Sequence, residues 1–500
     1  MHHRSTVSLL ATALALIAAS QAQAQCTYTW NGNAAGADGT VTGVWDDTDI
    51  VHVVGRFTTF QGVPANRAVR FQNGQWQALG AGLNGDALSV LRLPNGEIVV
   101  GGSFTVAGAS TANGIAKWDG ANWSALGSGM SQQAIFGAAV SALAVLPSGD
   151  LVAGGAFNSA GAQPASNIAR WNGTAWSALG AGFNGVVRGL AVTPAGALVA
   201  VGSFTASGAT VVNGIAQWNG SQWLALGSGL GLFGGAAVAT RPNGDILVGG
   251  SFVTAGGVAA PHVAQWSGGA WSSLGAGVSG PVTALAALPN GDLIVGGSFN
   301  AAGPVATGNL AKWNGATWTG FGSGTNGLVQ TIGKLRNGNL AIGGDFAQAN
   351  GVVSPRFVNL DSSCAASVVA TGAGCAGQGG VPALAVSEYP MLGQTFRSRC
   401  TNLPPLSIVL GVLGLAPTAL PLAIALPQAG AGCTLYANPD VVDALVPAAG
   451  AATYALAIPN VPALVGTQLH HQYVPLAFDF AFNLVGASAS NAVQANVGSF

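Results

Sequence analysis

The chain carries very little charge. Of its 500 residues, 15 are Lys or Arg and 16 are Asp or Glu, and the formal net charge is −1. Neutralising phosphates requires clustered Lys and Arg, so this composition argues against a nucleic-acid-binding protein. It argues equally against a basic patch for anionic membranes and against electrostatic steering of an acidic substrate.

Side chains that usually build catalytic and metal sites are also scarce. Between residues 26 and 364 the histidines are His52 and His262, far apart in sequence, and Tyr28 is the single tyrosine. Metal sites usually need several clustered nitrogen, sulfur or oxygen donors. The sequence therefore predicts no metal, no cofactor and no catalytic residue. A Tyr–Cys copper site and a sialidase-like Tyr plus Arg triad find no matching residues.

What the chain does contain is 77 glycines and a repeat of about 47 residues in seven copies. A period of this size is typical of solenoids and propellers. The clearest copy has four apolar runs, which we name strands a to d: Val282–Leu288, Leu293–Phe299, Leu310–Trp313 and Thr317–Phe321. Alternating apolar residues and Gly-centred turns predict antiparallel hairpins, and hence an all-β, seven-bladed propeller.

Three recurring residues, which we call markers, define the copies: a Phe at the end of strand b, one residue at the end of strand c and a Trp in strand d. The Phe of strand b and the Trp of the following strand d are 19 residues apart in all six continuous cases. A two-residue type II′ turn beginning at Gly120, Gly173, Gly220, Gly268 or Gly315 would make the c and d markers cross-strand neighbours. We expect the Trp rings to pack in the core, with sugar stacking as the alternative. The markers of strand c are Phe71, Trp118, Trp171, Trp218, Trp266, Trp313 and Leu360, and those of strand d are Trp30, Trp76, Trp123, Trp176, Trp223, Trp271 and Trp318.

The first and last copies are incomplete in complementary ways. Trp30 is a d-strand marker with no preceding a, b or c, whereas the last copy, from Val329 to Asp361, has no strand d. The N-terminal strand is therefore predicted to complete the last blade and to remove the open edge of the ring.

The cysteines fit this closure. Cys26 and Cys364 occupy positions that flank the c–d turn in a complete copy, so a disulfide between them would replace the missing covalent hairpin. In the chain-entropy model, closing such a long loop stabilises the fold by on the order of 5 kcal/mol.

The two chain ends outside the repeats give further expectations. Residues 1–24 have the basic start, apolar run and small-residue cleavage site of a secretory signal peptide, with a lipoprotein anchored through Cys26 as the alternative. Residues 366–500 predict a small β-sandwich after the propeller of 26–364. Its apolar stretch Leu406–Leu426 contains Pro417 and Pro421, so strands are favoured over a membrane helix. Cys375–Cys433 is the preferred bridge there, and Cys375–Cys400 is the alternative.

The segment GGSF…NGIAKWDGANWSALGSG, Gly101 to Gly129, resembles repeats of the delta-60 type. It is also similar to propeller repeats of fungal cell-polarity marker proteins and, more loosely, to kelch repeats. GAGCAG (Gly372–Gly377) and GCTLYANPD (Gly432–Asp440) resemble C-terminal domains of secreted, repeat-rich proteins of planctomycete-like bacteria. These resemblances imply the fold and imply no particular activity.

Acidic residues recur after a Gly in the a–b turn, as Glu97, Asp150, Asp245 and Asp292. Asp favours such turns through local backbone hydrogen bonds, and acids spread around one rim do not form a glycosidase pair. The densest run, Asp46, Asp47 and Asp49, leaves weak calcium binding as an alternative.

One d–a connection, within Gly129–Ala139, is longer than the others, and its Gln132, Gln133 and Phe136 are the predicted ligand-binding residues. A neutral insertion is the alternative. Together these features predict a secreted or cell-surface, monomeric, non-catalytic protein that binds a protein or a glycan. An extracellular polysaccharide hydrolase or lyase, and an adhesin anchored through its C-terminal domain, are the alternatives.

Overall fold

The computed structural model describes residues 26–47, 50–131 and 138–499. In this part of the chain nearly all regular structure is β-strand, and the helices are the single turns Leu422–Ile424 and Pro462–Leu464. The all-β prediction is confirmed. The chain divides into two compact units: a repeat unit of residues 30–335 and 340–360, and a C-terminal unit whose described residues are 26–29, 336–339 and 361–499.

The described residues of the repeat region form seven four-stranded antiparallel sheets, each ordered a-b-c-d. Six sheets use consecutive strands, and the seventh pairs Phe357–Ser362 with Tyr28–Asn31 from the other end of the chain. The a strands are Val41–Asp47, Ala87–Arg92, Ala139–Val145, Val187–Val192, Gly235–Thr240, Val282–Ala287 and Leu328–Lys334. The b strands are Ile50–Gly55, Ile98–Gly102, Leu151–Ala156, Leu198–Gly202, Ile246–Gly250, Leu293–Gly297 and Leu340–Asp345. The c strands are Ala68–Gln72, Ile115–Trp118, Ile168–Trp171, Ile215–Trp218, Val263–Ser267, Leu310–Trp313 and Phe357–Ser362. The d strands are Gln75–Ala78, Trp123–Ala125, Trp176–Ala178, Trp223–Ala225, Ala270–Ser273, Trp318–Gly320 and Tyr28–Asn31.

Short hairpins of two-residue strands occupy the b–c connections. Ser159–Ala160 also pairs with Met130–Ser131, at the start of the long d–a connection. These hairpins are Thr59–Phe60 with Val63–Pro64, Val106–Ala107 with Ser110–Thr111, Ser159–Ala160 with Gln163–Pro164, Ala206–Ser207 with Thr210–Val211, Thr254–Ala255 with Val258–Ala259, Ala301–Ala302 with Val305–Ala306, and Gln348–Ala349 with Val352–Val353.

The c and d aromatic markers are cross-strand neighbours, as their spacing predicts. Trp118 pairs with Trp123, for example, and their ring centroids are 5.3 Å apart. At Gly120 the positive φ of 105° fits the first central residue of a type II′ turn. At Gly268 the type II′ prediction is wrong, because Gly268 and Gly269 both have positive φ, which is the type I′ pattern.

The d-strand tryptophans pack inside the unit and link neighbouring sheets. Trp123 is 6% exposed and its Nε1 donates at 2.7 Å to the carbonyl of Leu79, which directly follows the d strand of the preceding sheet. A buried Trp N–H usually finds such a partner, so the recurring d-strand Trp both packs in the core and fixes the position of one sheet against the next. The same bond joins Trp176 to Leu126, Trp223 to Leu179, Trp271 to Leu226, Trp318 to Leu274 and Trp30 to Phe321.

The C-terminal unit contains a six-stranded and a three-stranded antiparallel sheet that share one core. Val409, Leu469 and Tyr473 reach that core from the larger sheet, and Phe396 and Tyr454 reach it from the smaller. The larger sheet comprises Ser367–Gly372, Ser407–Gly414, Val441–Leu445, Gln468–Phe478, Leu484–Ala487 and Ala492–Asn496. The smaller comprises Ala383–Glu388, Thr395–Thr401 and Ala452–Ala457, and Pro417–Pro421 pairs with Thr434–Ala437.

The apolar stretch Leu406–Leu426 is mostly strand. It forms Ser407–Gly414 and Pro417–Pro421 before the turn at Leu422–Ile424, because prolines and glycines interrupt any helical run. Within the described residues, no helix has the length and apolarity needed to cross a bilayer.

Candidate functional site

The acidic residues of the a–b turns are held by partners on strand c. Glu97 accepts from Lys117 Nζ at 2.7 Å, and Asp150 Oδ2 lies 2.5 Å from Arg170 Nη2. Asp292 pairs with Lys312 at 3.4 Å, and Asp245 accepts from Gln265 Nε2 at 3.0 Å. Each partner follows its acid by 20 residues, and where Ala197 replaces the acid the partner position holds the neutral Gln217. The acids therefore serve strand pairing.

The pKa of Glu97 reflects this role. Burial alone would raise it, but hydrogen bonds from Lys117 and Asn95 lower the pKa of this carboxyl below its ordinary value. A general acid would need the opposite shift.

The proposed calcium run cannot be assessed as a site, because Asp49 and the side chain of Asp47 lie outside the described residues. No group of three His, Cys, Asp or Glu side chains in the described part of the chain could hold a metal ion.

The described histidines are buried or half-buried. His52 is 4% exposed, and burial, followed by the charges of Arg70 and Arg92, lowers its pKa to about 4. His471 is fully buried in the C-terminal unit, where its Nε2 lies 2.8 Å from Ser398 Oγ and its Nδ1 lies 2.9 Å from the Val412 carbonyl oxygen. Burial lowers the pKa of His471 to about 4. His470 precedes it on the same strand and is also buried.

The polar residues that end the b–c connections bond across to d–a connections rather than simply capping strand c. Arg67 Nη1 donates to the Leu83 carbonyl at 3.0 Å, and Asn167 Nδ2 donates to Phe183 at 2.9 Å. Arg356 Nη1 makes the equivalent bond to Ala37, at 3.1 Å, across the two ends of the chain. The polar groups of these side chains are therefore engaged in hydrogen bonds between loops.

Each a strand carries a β-bulge at one place in its pairing with strand b. The pairing skips one residue in every sheet. Bulges re-aim side chains and are common beside binding sites. The skipped residues are Thr42, Leu88, Ser141, Arg188, Ala236, Thr283 and Gln330.

All seven bulge residues line one cavity of about 420 Å³. Thr40, Arg56, Val186, Leu328 and Asp345 complete its lining. Ligand pockets for small molecules occupy ≈300–1,000 Å³ and combine apolar walls with a few polar groups. This cavity has that size and that mixture, and every sheet contributes to it.

The polar groups of the cavity divide into occupied and unoccupied ones. Thr42 Oγ1 donates to the Ala87 carbonyl at 2.7 Å and Thr283 Oγ1 to that of Val329 at 2.5 Å, so both hydroxyls hold neighbouring sheets together. In contrast, the side chains of Ser141, Arg188 and Gln330 make no hydrogen bond or ion pair with any described residue. They are the groups available to a ligand.

Of the three charged side chains in the cavity lining, two have an ion-pair partner. Arg56 pairs with Asp86 at 3.1 Å and Asp345 with Arg356 at 3.5 Å. Arg188 is the single charged bulge residue in the described sheets and its side chain is exposed. A cation without a counter-charge therefore faces the cavity.

Sequence reasoning placed the ligand site elsewhere. Gln132, Gln133 and Phe136 lie outside the described residues, so their prediction stays a prediction. The cavity was missed because its residues share a bulge position and not a residue type. The one available signal was Arg188, a charge in an otherwise apolar strand.

The described cysteines form two disulfides, Cys26–Cys364 with Cα atoms 5.4 Å apart and Cys375–Cys433 with Cα atoms 5.2 Å apart. Cys400 is a buried free thiol, and burial raises its pKa to about 12, so it is not a reactive nucleophile. Next to the first disulfide, the backbone N–H of Ser363 donates to the Thr27 carbonyl at 2.9 Å.

Comparison with known proteins supports the fold. The model of a β-propeller domain of unknown function (DUF5122) matches residues 93–117, from the end of strand a to strand c of the second sheet. No curated protein matches the chain in sequence.

Among solved structures, the WD40 β-propeller domain of Doa1 is 15% identical with a TM-score of 0.46, and the match covers 68% of this chain and 97% of that one. The extracellular domain of a putative hybrid two-component system from B. thetaiotaomicron is 8% identical with a TM-score of 0.42, covering 95% of this chain and 59% of that chain. A gluconolactonase from Xanthomonas campestris is 12% identical with a TM-score of 0.34, covering 69% and 99% of the respective chains. The family match and the four-stranded repeats together support a β-propeller fold for the repeat unit.

Proposed function

We propose that this is a secreted, non-catalytic binding protein whose propeller presents the bulge-lined cavity to a glycan. The observation that carries the proposal is that one bulge residue from each of the seven four-stranded sheets lines a single cavity of about 420 Å³. A space of that size suits one or two sugar residues better than a protein surface, which needs ≈800 Å² of contact per partner.

We infer that the seven sheets are blades of one ring closed by the N-terminal strand. Three contacts support closure: the pairing of Tyr28–Asn31 with the last c strand, the bond from Trp30 to Phe321, and the bond from Arg356 to Ala37. Each repeats across the chain ends a contact found within the continuous sheets. The Cys26–Cys364 disulfide would lock the same junction.

The remaining assignments are part of the proposal. Residues 1–24 would be a signal peptide, 26–364 the propeller and 366–500 a β-sandwich. The signal-like start and the disulfides both favour an oxidising, extracellular compartment. The shared core of the two C-terminal sheets supports the sandwich.

Binding is favoured over hydrolysis because the recurrent carboxylates are engaged in strand pairing. At the cavity itself, Asp345 is held by Arg356 and is the one acid of the lining. A glycosidase needs two carboxyl groups in defined separation, one of them with a raised pKa.

The proposal is tested by screening the mature chain, residues 26–500, on a glycan array. Ser141→Trp and Gln330→Trp should each abolish binding, because a bulky ring at a bulge position fills the cavity. Ser272→Trp is the matched control, since Ser272 is exposed on a d strand outside the cavity. Circular dichroism checks that all three variants fold.

We expect glycans that bind wild type and Ser272→Trp but neither cavity variant. An array without bound glycans, or cavity variants that bind like wild type, would contradict the proposal. Release of a cleaved sugar product would contradict its non-catalytic part.

A further inference from the structure

The cavity has features that select among glycans, and the inference drawn from them rests on the proposed function. Arg188 is the skipped residue between Val187 and Gly189, at the bulge of the fourth sheet. The corresponding residues of the other described sheets are uncharged. The four-stranded sheet therefore does not need a charged side chain at this position in order to form.

The local contacts leave the Arg188 guanidinium available. It makes no ion pair or hydrogen bond with any described residue, whereas Arg56 and Arg356 each pair with a carboxylate. A guanidinium presents a planar fork of donors that matches a carboxylate bidentately. The group that fits it is a planar anion carried by the ligand.

The number of charges limits the ligand to a monoanion. Arg188 is the one cation in the described lining without a partner, and the carboxylate of Asp345 lies in the same lining. A dianionic phosphate would need more positive charge and would be repelled by Asp345. A carboxylate needs one guanidinium.

The other available groups recognise hydroxyls. Ser141 offers a hydroxyl and Gln330 offers an amide, both free of hydrogen bonds to described residues. Each can donate to and accept from a sugar hydroxyl. Because unpaired polar groups in a cavity are costly once water is displaced, these positions favour a hydroxylated ligand over an apolar acid.

We propose that the cavity binds a sugar acid, with its carboxylate on Arg188 and its hydroxyls on Ser141 and Gln330. The ligand class is a uronic acid, free or as the end of an acidic polysaccharide.

Calorimetric titration of the mature chain with D-galacturonate and D-glucuronate tests this. D-galactose and D-glucose are matched ligands that carry a hydroxymethyl group in place of the carboxylate, and inorganic phosphate tests for a dianion. We expect saturable binding of at least one uronate, at least about tenfold stronger than binding of its neutral parent, because charge-assisted hydrogen bonds are the strong ones. Affinity should fall as salt is raised.

Arg188→Gln should weaken uronate binding about tenfold or more and leave binding of the neutral sugars unchanged. Arg399→Gln is the control: it removes the same charge from an exposed position of the C-terminal unit, so uronate affinity should stay at the wild-type value.

The inference is overturned if uronates bind no better than their parents, if phosphate binds more strongly, or if Arg188→Gln behaves like Arg399→Gln. Neutral glycans blocked by Ser141→Trp but not by Arg188→Gln would overturn it while leaving the proposed function intact. Uronates bound equally by wild type and Ser141→Trp would contradict both.

Discussion

Replacing Cys26 and Cys364 together by serine is expected to lower the free energy of unfolding of the propeller by about 5 kcal/mol in the chain-entropy model. The two residues are 338 positions apart, so the disulfide encloses the whole repeat region and constrains the unfolded chain strongly. The loss should be seen as a lower urea midpoint in tryptophan fluorescence, because all 13 tryptophans lie between Trp30 and Trp318.

The Cys375→Ser, Cys433→Ser double variant is the matched control. It removes a disulfide of separation 58 in the C-terminal unit, which contains no tryptophan. Its fluorescence midpoint should stay at the wild-type value, although its total stability falls. Equal fluorescence midpoints for wild type and the Cys26, Cys364 variant would show that the junction does not stabilise the propeller.

The second large effect is a loss of stability in mild acid. Burial lowers the pKa of His471 to about 4 in the folded protein, against about 6.5 when unfolded. Between these values the unfolded state binds the extra proton, so stability is complete above pH 6.5 and declines as the pH falls to 4. The decline attributable to this side chain is about 3 kcal/mol.

Calorimetry of the full chain at several pH values measures this decline, and His471→Gln should reduce its slope without abolishing it, because burial also lowers the pKa of His52 to about 4. The variant is expected to be less stable at neutral pH, since the contacts with Ser398 and Val412 are disturbed. The relevant quantity is therefore the slope of stability against pH. His52→Gln, at the buried histidine of the repeat unit whose pKa is also lowered to about 4, should remove a comparable part of the slope; an unchanged slope in His471→Gln would refute the assignment.

Much of the blade could be predicted from sequence because its markers are large and periodic. The pairing of Trp118 with Trp123 follows from their spacing around a Gly turn, and the structure shows that register. Strand b was predicted about two residues too long, because its Phe was taken as the last residue of the strand: Phe57 lies two residues beyond the end of its strand at Gly55 and is fully buried there. Turn type at Gly268 was also mispredicted, since it depends on the conformation of the next residue.

The cavity could not be predicted in the same way. A bulge changes pairing by one residue without any required side chain, so Leu88, Ser141 and Arg188 share a position but no chemistry. The bulge residues are also separated by about one repeat each, and only the arrangement of the sheets brings them to one cavity. Arg188 is recognisable in the sequence as a charge in an otherwise apolar strand. Its lack of a hydrogen-bond or ion-pair partner among the described residues is seen only in the structure.

The C-terminal unit could be predicted only in part. Its composition predicted a β-sandwich, whereas the strand Gln468–Phe478 is buried along most of its length and shows no alternating pattern. The polar network of Ser398, His471 and Tyr473 was not foreseen, because its members come from different strands of the two sheets. Buried polar groups of this kind are stable only when every member is bonded.

The N-terminal strand Tyr28–Asn31 completes the last sheet as its outer strand, beside Phe357–Ser362. Hydrogen–deuterium exchange of the intact mature chain tests this most directly. The amides of Tyr28–Asn31 should be protected to the same degree as those of Trp318–Gly320, the d strand of the preceding sheet. Exchange of the Tyr28–Asn31 amides at the rate of an unpaired chain end would contradict the pairing of this strand with the last sheet.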